Sequence, residues 1–157
     1  MSTKKIRKPK GFTLIEIAIV IGLIAVLAAT AIVAINPARQ FKLARNSQRI
    51  SNVSAILNAV GERISDNHGT FEGTVAGTSQ TCPSLAAGTD YAVAKGPTSA
   101  SGALDLSCLS PAYIPSLPSD PKASAPDTGY VLNLDENDRV TVKAPLAEIG
   151  VTIEAGR

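Results

Sequence analysis

The chain of 157 residues has no tryptophan, only six other aromatics, one histidine (His68), one methionine and two cysteines (Cys82 and Cys108). Few aromatics mean a small core, because these side chains bury the most area per residue. One histidine, two thiols and no glycine-rich phosphate loop leave little from which to assemble a catalytic centre. An enzyme is not expected, and no cofactor is implied. The first eleven residues also lack any anion: they hold Lys4, Lys5, Arg7, Lys8 and Lys10. The net charge of +2 therefore hides a division, since ten Lys and Arg face thirteen Asp and Glu in the rest, a net of −3. The overall basicity belongs to the leader, which argues against a nucleic-acid partner.

Charge is also nearly absent from a second stretch. Between Phe12 and Ile35, 20 of 24 positions are apolar. As a helix this run would be about 36 Å long, enough to cross a hydrocarbon core of about 30 Å. A secretory signal would have a shorter apolar region followed by a small-residue cleavage site. With five cations before it, the run reads as a membrane span whose N-terminus stays cytoplasmic. Glu16 lies five residues into it, where an unpaired acid is costly and asks for a partner. Closeness to the interface and to the positive end of a helix lowers that cost.

The segment Lys10-Gly11-Phe12-Thr13-Leu14-Ile15-Glu16, between a basic leader and a long apolar run, resembles the type IV prepilin signal shared by type IV pilins and type II secretion pseudopilins. The resemblance implies that a membrane-embedded prepilin peptidase cuts after Gly11 and methylates the new amino group of Phe12. It also implies that Glu16 is an assembly contact, pairing with the amine of Phe12 on a neighbouring subunit. Such a pair would offset two burial costs at once. Glycine at the cut site lets an extended peptide approach catalytic groups closely. Gly22, Ala25, Ala28 and Ala29 are candidate points of helix contact, since small residues let backbones approach in lipid.

After the run, Asn36-Pro37 interrupts the pattern as a kink, a local melt or the restart of a second helix. Relatives often carry a proline inside the apolar run, where this chain has none. From Ala38 to about Ser65 the pattern is helical, with Ile50, Val53, Leu57, Val60 and Ile64 as an apolar seam. Arg39, Lys42, Arg45 and Arg49 fall on another face, read first as a solvated surface beside lipid headgroups, then as a contact with acidic groups on neighbouring heads, and last as a DNA-binding face. Asp66-Asn67-His68-Gly69 ends the helix, with His68 as a loop residue.

The remainder turns to Gly, Ser, Thr and Pro. Asp90–Lys95 reads as a short strand, Ser110–Asp127 with its five prolines as an ordered loop or linker, and Gly129–Leu134 with Arg139–Ala144 as a hairpin. Val151–Glu154 is a candidate third strand. Cys82 and Cys108 read as one disulfide in an extracytoplasmic head, with two separate buried thiols as the alternative. Asp135, Asn137 and Asp138 offer oxygens for Ca²⁺, but such residues also suit a plain turn.

The expected fold is α+β: a lollipop with a long N-terminal transmembrane and stem helix and a small head carrying an antiparallel sheet. Its parts are a leader at 1–11 removed on maturation, a transmembrane and polymerisation helix at 12–35, an amphipathic stem at 36–68 and a β-rich head at 69–157. The resemblance implies a single-pass subunit of the bacterial inner membrane that joins a cell-surface or periplasmic homo-oligomeric filament. Its partners would be membrane lipid, prepilin peptidase, an assembly ATPase and an inner-membrane platform. The alternative is a minor, anchored adhesin or DNA-uptake component. If Glu16 serves assembly, Glu16→Ala inserts normally but yields fewer filaments; equal recovery of sheared filaments from mutant and wild type would count against that role.

Overall fold

A computed structural model describes residues 11–97 and 102–157, so the basic leader through Lys10 lies outside the described residues. The chain divides into two units, Met1–Gln40 and Phe41–Arg157.

The first unit contains helix α1 (Leu14–Ile35), none of whose residues is buried. Its 22 residues are long and apolar enough to cross a membrane. Thr13 caps its start, and Asn36 ends it in a left-handed conformation at φ 49°. The same Asn36 opens helix α2 (Pro37–Asp66), accepting on its backbone and side-chain oxygens from the amide of Arg39 at 3.0 and 3.3 Å. Of the possibilities at Asn36-Pro37, the chain takes the restart: proline stands at the first helical position, where its missing N–H costs nothing.

Beyond α2, a two-stranded antiparallel ribbon pairs β1 (Gly73–Thr74) with β2 (Thr81–Cys82). The main sheet contains β3 (Thr89–Ala94), β4 (Ala103–Asp105), β5 (Asp127–Leu134), β6 (Val140–Lys143) and β7 (Glu154–Gly156), in the order β4-β3-β5-β6-β7. The hairpin is in the expected register, Leu134 opposite Val140. The strand expected at 151–154 instead begins at Glu154 and pairs with β6. The sheet is also not wholly antiparallel, because β3 and β4 run parallel, Ala92 opposite Ala103. Parallel strands usually need a long crossover. Here the pairing is three residues deep, so the chain retraces only a short distance.

One face of the sheet packs on α2. Thr128, Tyr130 and Leu132 of β5 and Val140 and Val142 of β6 point inward, at the period of two expected of a strand covered on one side. They meet Val53, Ile56, Leu57 and Val60. Of the expected seam, Val53, Leu57 and Val60 are buried and Ile64 packs against the core, but the buried face is wider on one side and excludes Ile50. Ile50 is 55% exposed, while Arg49, Val53, Ile56, Val60 and Arg63 are buried. Arg63 is satisfied by carbonyls beyond the helix, donating to those of Phe71 at 3.1 Å and Gly73 at 2.9 Å. A cation there also complements the helix C-terminus.

The segment from Ser110 to Pro126 is an ordered loop over the core, holding Ile114, Leu117 and Asp120 buried. It packs against Gly129 of β5, whose φ is 78° and whose added Cβ would stand 2.8 Å from Cβ of Asp120. Only glycine meets both conditions. Cys82 and Cys108 are joined as a disulfide with Cα atoms 5.3 Å apart, tying β2 to the 3-10 turn Ser107–Leu109. The cross-link closes a loop across a sequence separation of 26. On the chain-entropy account, removing it with paired serines is expected to cost about 3.5 kcal/mol, read as a lowered midpoint in denaturant with a slope equal to or steeper than that of the cross-linked chain, because the unfolded chain is released.

Candidate functional site

The candidate site at the N-terminus begins with non-helical backbone at Gly11, Phe12 and Thr13. Gly11 is exposed with nothing within 4 Å of where a Cβ would be, and Phe12 is 85% exposed. The peptide bond between them is therefore presented outside the helix, in backbone that can be drawn into an extended conformation. Helix α1 starts immediately after it, on a reciprocal cap. The amide of Glu16 donates to Oγ1 of Thr13 at 3.3 Å, while Oε2 of Glu16 accepts from the Thr13 amide at 2.7 Å and from its hydroxyl at 2.9 Å. This is the S/T-x-x-E capping box, which satisfies two otherwise orphaned donors. Glu16 thus has a structural task within its own chain. Gly22, Ala25, Ala28 and Ala29 lie along α1, all exposed.

Residues 6–32 match the family described as the prokaryotic N-terminal methylation motif. The chain carries the prepilin-type signal of type IV pilins and pseudopilins. The match takes in Gly11, Phe12, Glu16 and most of α1, and the α+β architecture of the head is pilin-like. No curated protein and no solved structure matches the chain.

The second unit contains a polar cluster that corrects the reading of the basic run. Arg39 and Lys42 are exposed, but Arg45 and Arg49 are not a solvated face beside headgroups. The guanidinium of Arg49 is fully buried and forks onto Asp120, with Nε 2.5 Å from Oδ2 and Nη2 3.0 Å from Oδ1. Its Nη1 donates to Oδ1 of Asn46 at 2.9 Å and to Oε2 of Glu148 at 3.1 Å. Arg45 forks onto both oxygens of Glu148 at 2.6 and 2.9 Å, and Nζ of Lys122 adds a contact at 2.8 Å. Asn46 completes the set, donating to the Glu148 carbonyl at 2.7 Å and accepting from its amide at 3.0 Å. Two loops, around Asp120 and around Glu148, are thereby fastened to α2.

Burial works against ionising Asp120, yet the Arg49 fork and the Lys122 amide hold its carboxyl below the ordinary aspartate value. Arg45, then Lys122 and Arg49, hold the Glu148 carboxyl far below the ordinary glutamate range.

Asp120, Lys122, Asn46 and Glu148 were not singled out by sequence reasoning, and the loop residues carry no periodic signal. Arg49 and Arg63 did carry one. They occupy the same helical stripe as Val53, Ile56 and Val60, so a seam widened by one residue on that side would have included them.

At the β5–β6 turn, Oδ1 of Asp135 accepts from the amides of Asn137 and Arg139, each at 2.8 Å, and Asp138 has φ 59°. The turn thus employs the Asp135 carboxylate for its own closure. Among the described residues no group of three or more His, Cys, Asp or Glu is placed to hold a metal. His68 is exposed at φ 56° in the turn after α2.

The cluster generates a pH prediction. Both carboxylates have depressed values, so their contribution to stability is complete above the ordinary carboxylate range and is lost as pH falls through the folded values. Stability of the full chain in detergent is expected to decline on acidification below about pH 4, where unfolded carboxylates take up protons. Asp120→Asn leaves Arg49 buried without its main counter-charge and is expected to cost about 3–5 kcal/mol at pH 7, with a flatter acid limb. Denaturant titrations from neutral to acid pH check both.

Proposed function

We propose that this chain is a structural subunit of a type IV pilus or type II secretion pseudopilus. The observation that carries this reading is the coincidence of the methylation motif at residues 6–32 with a wholly exposed apolar helix that has a glutamate in its first turn. The capping box gives that acid a use in any such helix, but a carboxylate at the edge of an apolar run gains further from a charged partner, which a polymerising helix can supply and a lone anchor cannot.

In this reading, the leader through Gly11 is removed by prepilin peptidase at the non-helical Gly11–Phe12 bond, and Phe12 becomes the N-methylated terminus. The subunit waits in the inner membrane through α1 and then enters a filament driven by an assembly ATPase and its membrane platform. Leaving lipid for other helices gains little from water expulsion, so packing at Gly22, Ala25, Ala28 and Ala29 and the pairing of charges supply the association. Glu16 leaves its capping box with Thr13, wholly or in part, to meet the cationic amine of a neighbouring Phe12. The head is extracytoplasmic, where its Cys82–Cys108 disulfide persists.

Intact mass and N-terminal peptide analysis of protein sheared from cells tests this. The expected species begins with N-methyl-phenylalanine at Phe12 and is recovered in filaments. Filaments that retain Met1 or the leader would overturn the mechanism. Processed protein confined to the membrane would favour a pseudopilus over a surface pilus.

A further inference from the structure

The distal end of α2 and the β5–β6 turn enclose a depression of about 230 Å³. Ile64, Phe71, Leu85 and Leu134 contribute apolar lining, and Glu72 and Asp138 contribute acids. Neither carboxylate has a salt-bridge partner among the described residues. A cavity of roughly 150 Å³ already accommodates a benzene ring, so the depression has room for one aromatic side chain.

The opposite end of α2 offers the complementary features. Phe41 is 66% exposed on a helix whose other face is buried in the head, and Lys42 follows it, exposed and without a salt bridge among the described residues. Arg39 adds a second exposed cation on the same helix. Phe41 and Ile64 are separated by 23 positions of α2, about 35 Å at 1.5 Å per residue, too far for one copy to satisfy itself.

We propose that the depression seats Phe41 of a second copy of this chain, with that copy's Lys42 against Glu72 and Asp138. An aromatic anchor in a pocket with charges at its margin is the usual composition of an energetically important contact. Joining opposite ends of one element makes the contact heterologous, so it repeats from copy to copy without closing. The inference rests on the filament reading and adds to it a specific head contact, separate from the packing of α1.

The test uses the full chain in its own host, with wild-type filament recovery and N-terminal mass measured alongside. Phe41→Cys and Thr70→Cys, combined in one chain, place free thiols at the anchor and at the pocket, too far apart to bridge within a copy. Mild oxidation of assembled material is expected to give a ladder of linked oligomers that neither single variant gives. Lys42→Glu is expected to lower filament recovery about tenfold, and adding Glu72→Lys to restore it to within about twofold, as for a directly coupled pair. Filaments without the ladder and without rescue would overturn this contact and leave the filament reading standing. Loss of the unassembled Lys42→Glu subunit from membranes, again with no ladder, would assign Phe41 and Lys42 to lipid and overturn it too. A processed wild-type chain that never polymerises would overturn both readings.

Discussion

A guanidinium enclosed on the inner face of α2 governs how the head is organised. Arg49 has no exposed surface and cannot be left without counter-charge, since an unpaired buried ion is far more costly than the pair. The chain meets this demand by bringing in Asp120 from a proline-rich loop and Glu148 from the loop between β6 and β7. Those loops have little regular hydrogen bonding of their own. Their positions follow from the charges they must supply, and Gly129 follows in turn because the Asp120 turn packs against it with no space for a side chain. Replacing the pair by apolar groups of similar size could leave the energy unchanged. Its contribution is directional: a bidentate fork fixes distance and angle, which a patch of leucines would not.

At the N-terminus the same chain shows the opposite strategy. Among the described residues, none of helix α1 is buried, and its start carries the reciprocal Thr13–Glu16 cap. In the proposed subunit, a helix that passes from lipid into a filament would not rely on a fixed set of intramolecular contacts. Its cap lets the acid be satisfied before a partner is present. If the proposed pairing holds, local satisfaction followed by exchange for a charged neighbour would hold subunits in reserve without leaving a bare carboxylate in an apolar environment.

The two regions differ in how far the amino-acid order revealed them. The membrane-length helix and the methylation motif are local features, in which every residue concerned lies within a few turns of the next; the Thr13–Glu16 cap is equally local, as an S/T-x-x-E pattern, but was not read from the sequence. The hairpin at Asp135–Asp138 was legible for the same reason, because turn residues between alternating valines specify a register. The helical extent of α2 and most of its buried seam were also legible, through Val53, Leu57 and Val60, but the buried face extends further, to Arg49, Ile56 and Arg63, and leaves Ile50 exposed. A basic stripe ordinarily means solvent, and nothing local distinguishes a buried arginine from an exposed one. Arg45 and Arg49 needed acids about 70 to 100 positions away, and no periodicity connects a loop aspartate to a helix so distant in sequence.

The sequence by itself therefore determined the membrane-length apolar run, the processing signal, a break at Asn36-Pro37 and the main antiparallel hairpin, since each depends on short-range sterics, hydrogen bonding or hydrophobic length; the structure chose a helix restart from the three outcomes that the break left open. Tertiary structure alone decided the parallel pairing of β4 with β3, the late start of β7 and the enclosure of Arg49 by Asp120 and Glu148. These depend on which distant segments reach the same face of the sheet, and long-range packing is free to override the local preference of any one segment.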